Sequence, residues 1–171
     1  MTRIPFDVNN NELRSKFLLE ILPACISKLD KNTIPAWGKM TPQNMIEHLI
    51  LTFEISTGKL QVDCKTHERF LLRVKLFLYD NSEIPKNFKN PLLEKNPMPL
   101  KYTDYAEVKS ILIKELNGFT EHFKLKPDVY YIHPIFGPLG KDEWERAHFK
   151  HCYHHLLQFG LIEPEYFQDN P

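Results

Sequence analysis

Apolar residues recur at helical spacing along most of the chain. Leu13, Phe17, Leu18, Ile21, Leu22, Ile26 and Leu29 form one stripe at intervals of three and four, which predicts a first helix. Asn9, Asn10 or Asn11 can cap it. Pro23 lies inside it and should kink or split it, because proline removes a backbone donor. After a loop containing Pro35 and Gly38, Thr41 reads as an N-cap with Pro42 at the first helical position. The second helix, about 41 to 57, is apolar nearly all round: Met45, Ile46, Leu49, Ile50, Leu51, Phe53 and Ile55. Such a helix belongs at the centre of a core. Gly58 should end it. A third helix is expected from Thr66 to about Tyr79, with Phe70, Leu71, Val74, Phe77 and Leu78 turned inward. A fourth, about 103 to 123, should bury Tyr105, Val108, Leu112, Leu116 and Phe119. The last helix should start near Gly140, with Asp142 and Glu143 in the first turn, where the helix dipole favours acids. Gly160 is its natural C-cap.

Two stretches break the pattern. Residues 81 to 102 carry Pro85, Pro91, Pro97 and Pro99 and cannot form one regular helix. A connection of that length crosses a bundle or covers a site. After Pro127 comes a short irregular piece, VYYIHPIFGPLG, in which VYYI could be a strand but has no obvious partner. The expected architecture is therefore all-α. It comprises one domain over residues 1–171, a four-helix bundle with an additional short helix and a long proline-rich crossover loop.

Composition narrows the function classes. The 171 residues are 42% hydrophobic, enough for a real core, and 26% charged with a net charge of zero. That balance gives no reason to expect a nucleic-acid partner. No apolar run is long enough for a membrane span. The segment MTRIPFDVNNNEL lacks a secretory h-region. Cys25, Cys64 and Cys152 are odd in number and scattered, which fits reduced thiols in a cytoplasm better than a disulfide framework.

The densest chemical signal is HFKHCYHHLLQFG. It places His148, His151, His154 and His155, four of the eight histidines, within eight residues. On a helix, His151 and His155 stack one turn apart, roughly 5–6 Å between Cβ atoms. Two imidazoles so placed can bind one transition metal from a rigid backbone. They share a stripe with Trp144, Phe159 and Ile162, so they should point inward. His48, in the otherwise apolar second helix, is the candidate third ligand. A catalytic metal site commonly has three protein ligands and an open position.

The other candidates have plainer alternatives. His148 and His154 each lie about 60° from His151 around the helix, on opposite sides. His148 could be a hydrogen-bond donor behind the ligands, and His154 a solvent-facing residue or a hydrogen-bond partner. His67 and His122 read as surface residues, and His133 as part of a loop. Glu47 could be a base beside the site or a solvated acid. Tyr130, Tyr131 and Tyr153 are potential site hydroxyls. Cys152 should be packing.

WGKMTPQNMIEHL, residues 37 to 49, resembles the opening of the metal-bearing second helix in the DinB/YfiT-like metalloenzyme superfamily. HPIFGPLGKDEWERAHFKHCYHHLLQFG, residues 133 to 160, is similar to that group's terminal segment. The group ends its last helix with His-x-x-x-His, often followed by another His and a Gln. The resemblance spans most of residues 10 to 162 and is to a branch of uncharacterised bacterial proteins. It implies a four-helix bundle holding a divalent metal on His48, His151 and His155. Gly140 departs from it, standing where Ser or Thr is expected as a helix cap.

The resemblance also implies chemistry. Characterised members include transferases and isomerases that use a low-molecular-weight thiol beside a divalent metal. Ligands of this type suit zinc or nickel, with iron and manganese as further candidates. The function expected is a metal-dependent enzyme, transferring a thiol to a small electrophile or catalysing hydrolysis. The competing class is a non-enzymatic bundle that binds a metal or small molecule. The expected partner is a small-molecule substrate. A homodimer covered by Tyr166 and Phe167 is the expected assembly.

Overall fold

The computed structural model describes residues 3–5, 7–86, 88 and 98–163. Five helical segments and one β-hairpin make up its regular structure. Helix α1 covers residues 11–28, α2 Pro42–Ser56, α3 residues 68–78, α4 Tyr105–Leu125 and α5 Lys141–Gln158. Strands β1, Tyr131–His133, and β2, Gly137–Leu139, pair antiparallel with Ile132 opposite Pro138. The fold is thus mixed, though mostly helical, and the expectation of an all-α four-helix bundle is overturned. VYYI does have a partner, and that partner is three residues long.

Side chains make the hairpin, which is why apolar periodicity misses it. The turn amides of Ile135 and Phe136 donate to His133 Nδ1 at 3.0 and 3.2 Å. Gly137 takes φ +72°, which a β-carbon disfavours. Tyr131 is anchored to α4 by its hydroxyl, 2.8 Å from His122 Nε2. His122, expected at the surface, is half-buried and joins helix to hairpin.

Helix α1 is continuous through Pro23. The residues before it, Phe17–Ile21, form a π turn, and the Leu22 amide reaches back to the Phe17 carbonyl. The wider turn accommodates a proline ring without a break. Helix α2 starts as the sequence predicts. Thr41 Oγ1 accepts the Asn44 amide, and the Asn44 side chain accepts the Thr41 amide, each at 3.2 Å.

Met45, Ile46, Leu49 and Phe53 of α2 are fully buried. This helix packs most extensively against α4, which buries Val108, Leu112, Leu116, Phe119 and Phe123. Phe17, Leu22 and Ile26 of α1 and Trp144, Phe149, Cys152 and Leu156 of α5 complete the core.

Helix α3 departs from its expected stripe at Phe70. Leu78 is buried and Leu71, Val74 and Phe77 are half-buried, in keeping with the stripe, but Phe70 is 43% exposed. The segment opens and closes as 3-10 helix. Each such residue turns about 120° rather than 100°, and Phe70, the residue that departs, ends the opening 3-10 turn. Of the proline-rich connection, Pro91 and Pro97 lie outside the described residues, as do Tyr166 and Phe167. No helix among the described residues is long and apolar enough to cross a membrane.

Candidate metal centre

His48 is held on α2 about two turns after the capped start of that helix. His151 and His155 sit one turn apart on α5. The two helices meet with these faces together, and the three histidines offer ring nitrogens that all lie within 4.8 Å of one another. His48 Nε2 is 2.8 Å from His151 Nε2, and His151 Nε2 is 3.1 Å from His155 Nε2. Three imidazole nitrogens on one ion at about 2.0–2.1 Å must themselves lie about 2.9–3.4 Å apart. The two short spacings are close to that range.

The tautomer of His155 follows from its neighbours. Gln158 Nε2 donates to the Trp37 carbonyl at 2.9 Å. A carbonyl only accepts, so the amide orientation is fixed and Gln158 Oε1 faces His155 Nδ1 at 2.8 Å. His155 therefore carries its proton on Nδ1 and presents a bare Nε2 to the centre.

All three rings are neutral near pH 7. Burial pushes His48 down to about 4, with the nearby His154 adding to it. Burial holds His151 and His155 well below the usual imidazole range, and their mutual proximity with His48 adds to it.

Two neutral nitrogens at 2.8–3.1 Å need a proton between them. His155 Nε2 has none. His151 Nε2 can carry one, which points toward one neighbour or is split between both. If His151 is bare instead, its contact with His155 is lone pair against lone pair. Either way the protons present cannot fully satisfy both short contacts. A cation at the centre satisfies all three lone pairs at once, so these residues fit a metal ion. His48 Nδ1 is buried with no hydrogen-bond partner among the described residues.

The remaining candidates fall elsewhere. His148 lies below the centre, its ring stacked on Phe53 at 4.0 Å and its Nε2 2.8 Å from Ser56 Oγ. It belongs to the core and touches no ligand nitrogen. His154 is half-buried and takes the hydrogen-bonding alternative, its Nδ1 3.2 Å from the Ile84 carbonyl. His67 is exposed at the start of α3. Glu47 is neither a base at the centre nor simply solvated. It accepts the amides of Lys101 and Tyr102 at 2.7 and 3.3 Å and pins that segment to α2. Tyr130 is exposed, Tyr131 bonds His122, and Tyr153 packs on Phe17 and Phe149. Cys152 is fully buried, and burial pushes its thiol up.

Space is tight at Gly140. A β-carbon there would lie 3.2 Å from the Tyr130 ring, so Ser or Thr as a cap would require that ring to shift by a few tenths of an ångström. Glu143 makes the reciprocal capping bond, accepting the Gly140 amide at 3.4 Å.

A cavity of about 110 Å³ runs along α2 beside His48. Met40, Ile50, Leu51, Glu54, Lys101 and Tyr102 line it together with that histidine. Sequence reasoning assigned no role to Lys101 or Tyr102, which sit in the proline-rich connection, nor to Trp37.

The fold and the triad define a mostly helical protein with a three-histidine cluster able to hold a metal ion. The chain belongs to the DUF1569 family of proteins of unknown function, whose profile matches residues 74–161. That span carries α4, the hairpin and α5, hence His151 and His155 but not His48. No curated protein and no solved structure shows significant similarity to the chain.

Proposed function

We propose that the protein is a metal-dependent enzyme of the DinB/YfiT-like superfamily. His48, His151 and His155 hold one divalent ion, and the substrate is a small electrophile that receives a low-molecular-weight thiol. The observation that carries the reading is the set of three converging Nε2 atoms whose two short contacts the available protons cannot both satisfy. The stretches that resemble the superfamily, 37–49 and 133–160, are also those that deliver the three histidines. Borderline nitrogen donors of this kind suit zinc or nickel, and also iron or manganese.

Three protein ligands leave a coordination position free, whereas structural zinc sites are normally closed by four. When bound, the ion supplies Lewis acidity that brings the pKa of a thiol or water toward neutrality. The chain's own residues provide the setting. Neutral imidazoles leave the ion's positive charge uncompensated. Leu49, Cys152 and Leu156, each next to a ligand in sequence, are fully buried and anchor the two ligand-bearing helices in the core. The cavity beside His48 offers the substrate an apolar wall of Met40, Ile50 and Leu51, with Glu47, Glu54 and Lys101 as its charged groups. Three free cysteines fit a reducing cytoplasm.

The test is a turnover screen of metal-loaded protein with a panel of thiols and small electrophiles, run beside His48→Ala. Thiol-dependent turnover that His48→Ala loses is the expected result. Thiol-independent hydrolysis, or no turnover with a full metal site, would overturn the transfer reading.

A further inference from the structure

Gln158 is the last residue of α5, three positions beyond His155. Its side chain lies between a candidate ligand and a turn that precedes the other ligand-bearing helix. Gln158 Oε1 accepts from His155 Nδ1 at 2.8 Å, and Gln158 Nε2 donates to the Trp37 carbonyl at 2.9 Å. The backbone adds a second tie, because the Ala36 amide donates to the Gln158 carbonyl at 2.8 Å. Residues 36–38 therefore sit on the end of α5 at both main chain and side chain. Four residues after Trp37 comes Thr41, which caps α2, and α2 carries His48.

The turn is built around the amide. Gly38 has φ +82°, and a β-carbon there would lie 2.7 Å from Gln158 Nε2. Any other residue at position 38 would push against the group that orients His155. The indole of Trp37 packs edge-on against His154 at 5.6 Å, and Lys86 Nζ sits 4.7 Å over its ring. These contacts hold the turn from its other side.

We infer that Gln158, seated by Gly38 and the Trp37 carbonyl, is a positioning residue for the metal centre. It selects the His155 tautomer with a bare Nε2 and fixes the start of the His48 helix relative to α5. The inference rests on the proposed metal site. Partners that orient a ligating histidine are typically worth 10–100-fold in metal affinity.

The experiment measures zinc affinity by competition with a chromophoric chelator in the full chain and three variants. Gln158→Leu removes both hydrogen bonds and should weaken zinc binding 10–100-fold. Gly38→Ala leaves Gln158 in the sequence but displaces its amide, and should also weaken it. Gln158→Glu keeps an acceptor for His155 Nδ1–H and should stay nearer wild type than Gln158→Leu. Helical content by circular dichroism shows that each variant folds. Nitrogen-15 NMR of the histidine rings in metal-free protein gives a second readout. Wild type should show His155 protonated at Nδ1, and Gln158→Leu a shift of that ring toward the other tautomer. Equal zinc affinity in wild type and Gln158→Leu would overturn the inference while leaving the metal site standing. If wild type binds no zinc, the metal reading fails, and the NMR comparison alone decides whether Gln158 sets the tautomer.

Discussion

His148 allows a prediction whose size can be worked from the structure. The ring is 1% exposed, stacked on Phe53 at 4.0 Å and on Trp144 at 5.5 Å, and bonded to Ser56. Ser56 Oγ donates to the Phe53 carbonyl at 2.9 Å, so it accepts from His148 Nε2–H, and burial keeps the ring neutral. Burial, and secondarily the nearby His133, pushes His148 from 6.5 down to about 3. Acid therefore protonates the unfolded chain first. The stability is fully present above pH 6.5 and is lost as pH falls from 6.5 toward 3.

Between pH 7 and pH 5 the loss depends almost wholly on the unfolded value, and comes to about 2 kcal/mol for this one group. His148→Phe preserves an aromatic ring and removes the proton site. At pH 7 it should cost about 1–2 kcal/mol through the lost hydrogen bond and the larger ring. At pH 5 that deficit should vanish or reverse. The assay is urea unfolding of metal-free wild type and variant at both pH values. The double difference cancels the other buried histidines and should be about 2 kcal/mol. An equal deficit at both pH values would refute a neutral, proton-excluding His148.

Three further substitutions test the packing that positions the centre. Phe53→Ala empties a fully buried site between His148 and Phe119 and should cost about 3–5 kcal/mol in chemical denaturation. At Gly58, φ is +74° and an added β-carbon would lie 2.3 Å from the Tyr131 ring, so Gly58→Ala should lose about 1–3 kcal/mol and lower the melting temperature. Lys150→Met strips the buried amine from the carbonyls of Phe77 and Ser82 and from Asp80, and should destabilise by about 2–3 kcal/mol, read in the same unfolding assay. A change below about 0.5 kcal/mol in any of the three would contradict the contact it removes.

What the sequence discloses divides along the range of the forces involved. The Thr41–Pro42 start of α2 and the Gly160 stop of α5, at φ +62°, are local chemistry and appear where the residues predict. The placement of His48, His151 and His155 follows from helical period plus inward faces, and the folded chain brings those three together. The hairpin was not legible, because Pro138 and Gly137 are poor strand formers and a side chain, His133, satisfies the turn. Helix α3 keeps its stripe at Leu71, Val74, Phe77 and Leu78 and departs at Phe70, which sits in the opening 3-10 turn. Glu47 gains its role from amides more than fifty positions away, and Gln158 from a carbonyl 121 positions away. No periodicity encodes partners at such separations.

The central claim is that His48, His151 and His155 form one metal site. It is tested most directly by metal analysis of protein purified without a metal-affinity column, then dialysed against zinc. Wild type should retain about one divalent ion per chain, and excess zinc at a hundred times its dissociation constant should stabilise folding by about 2.7 kcal/mol. The His48→Ala, His151→Ala and His155→Ala variants should each lose both the ion and the stabilisation. Equal metal in wild type and the three variants, or none in wild type, would contradict the account.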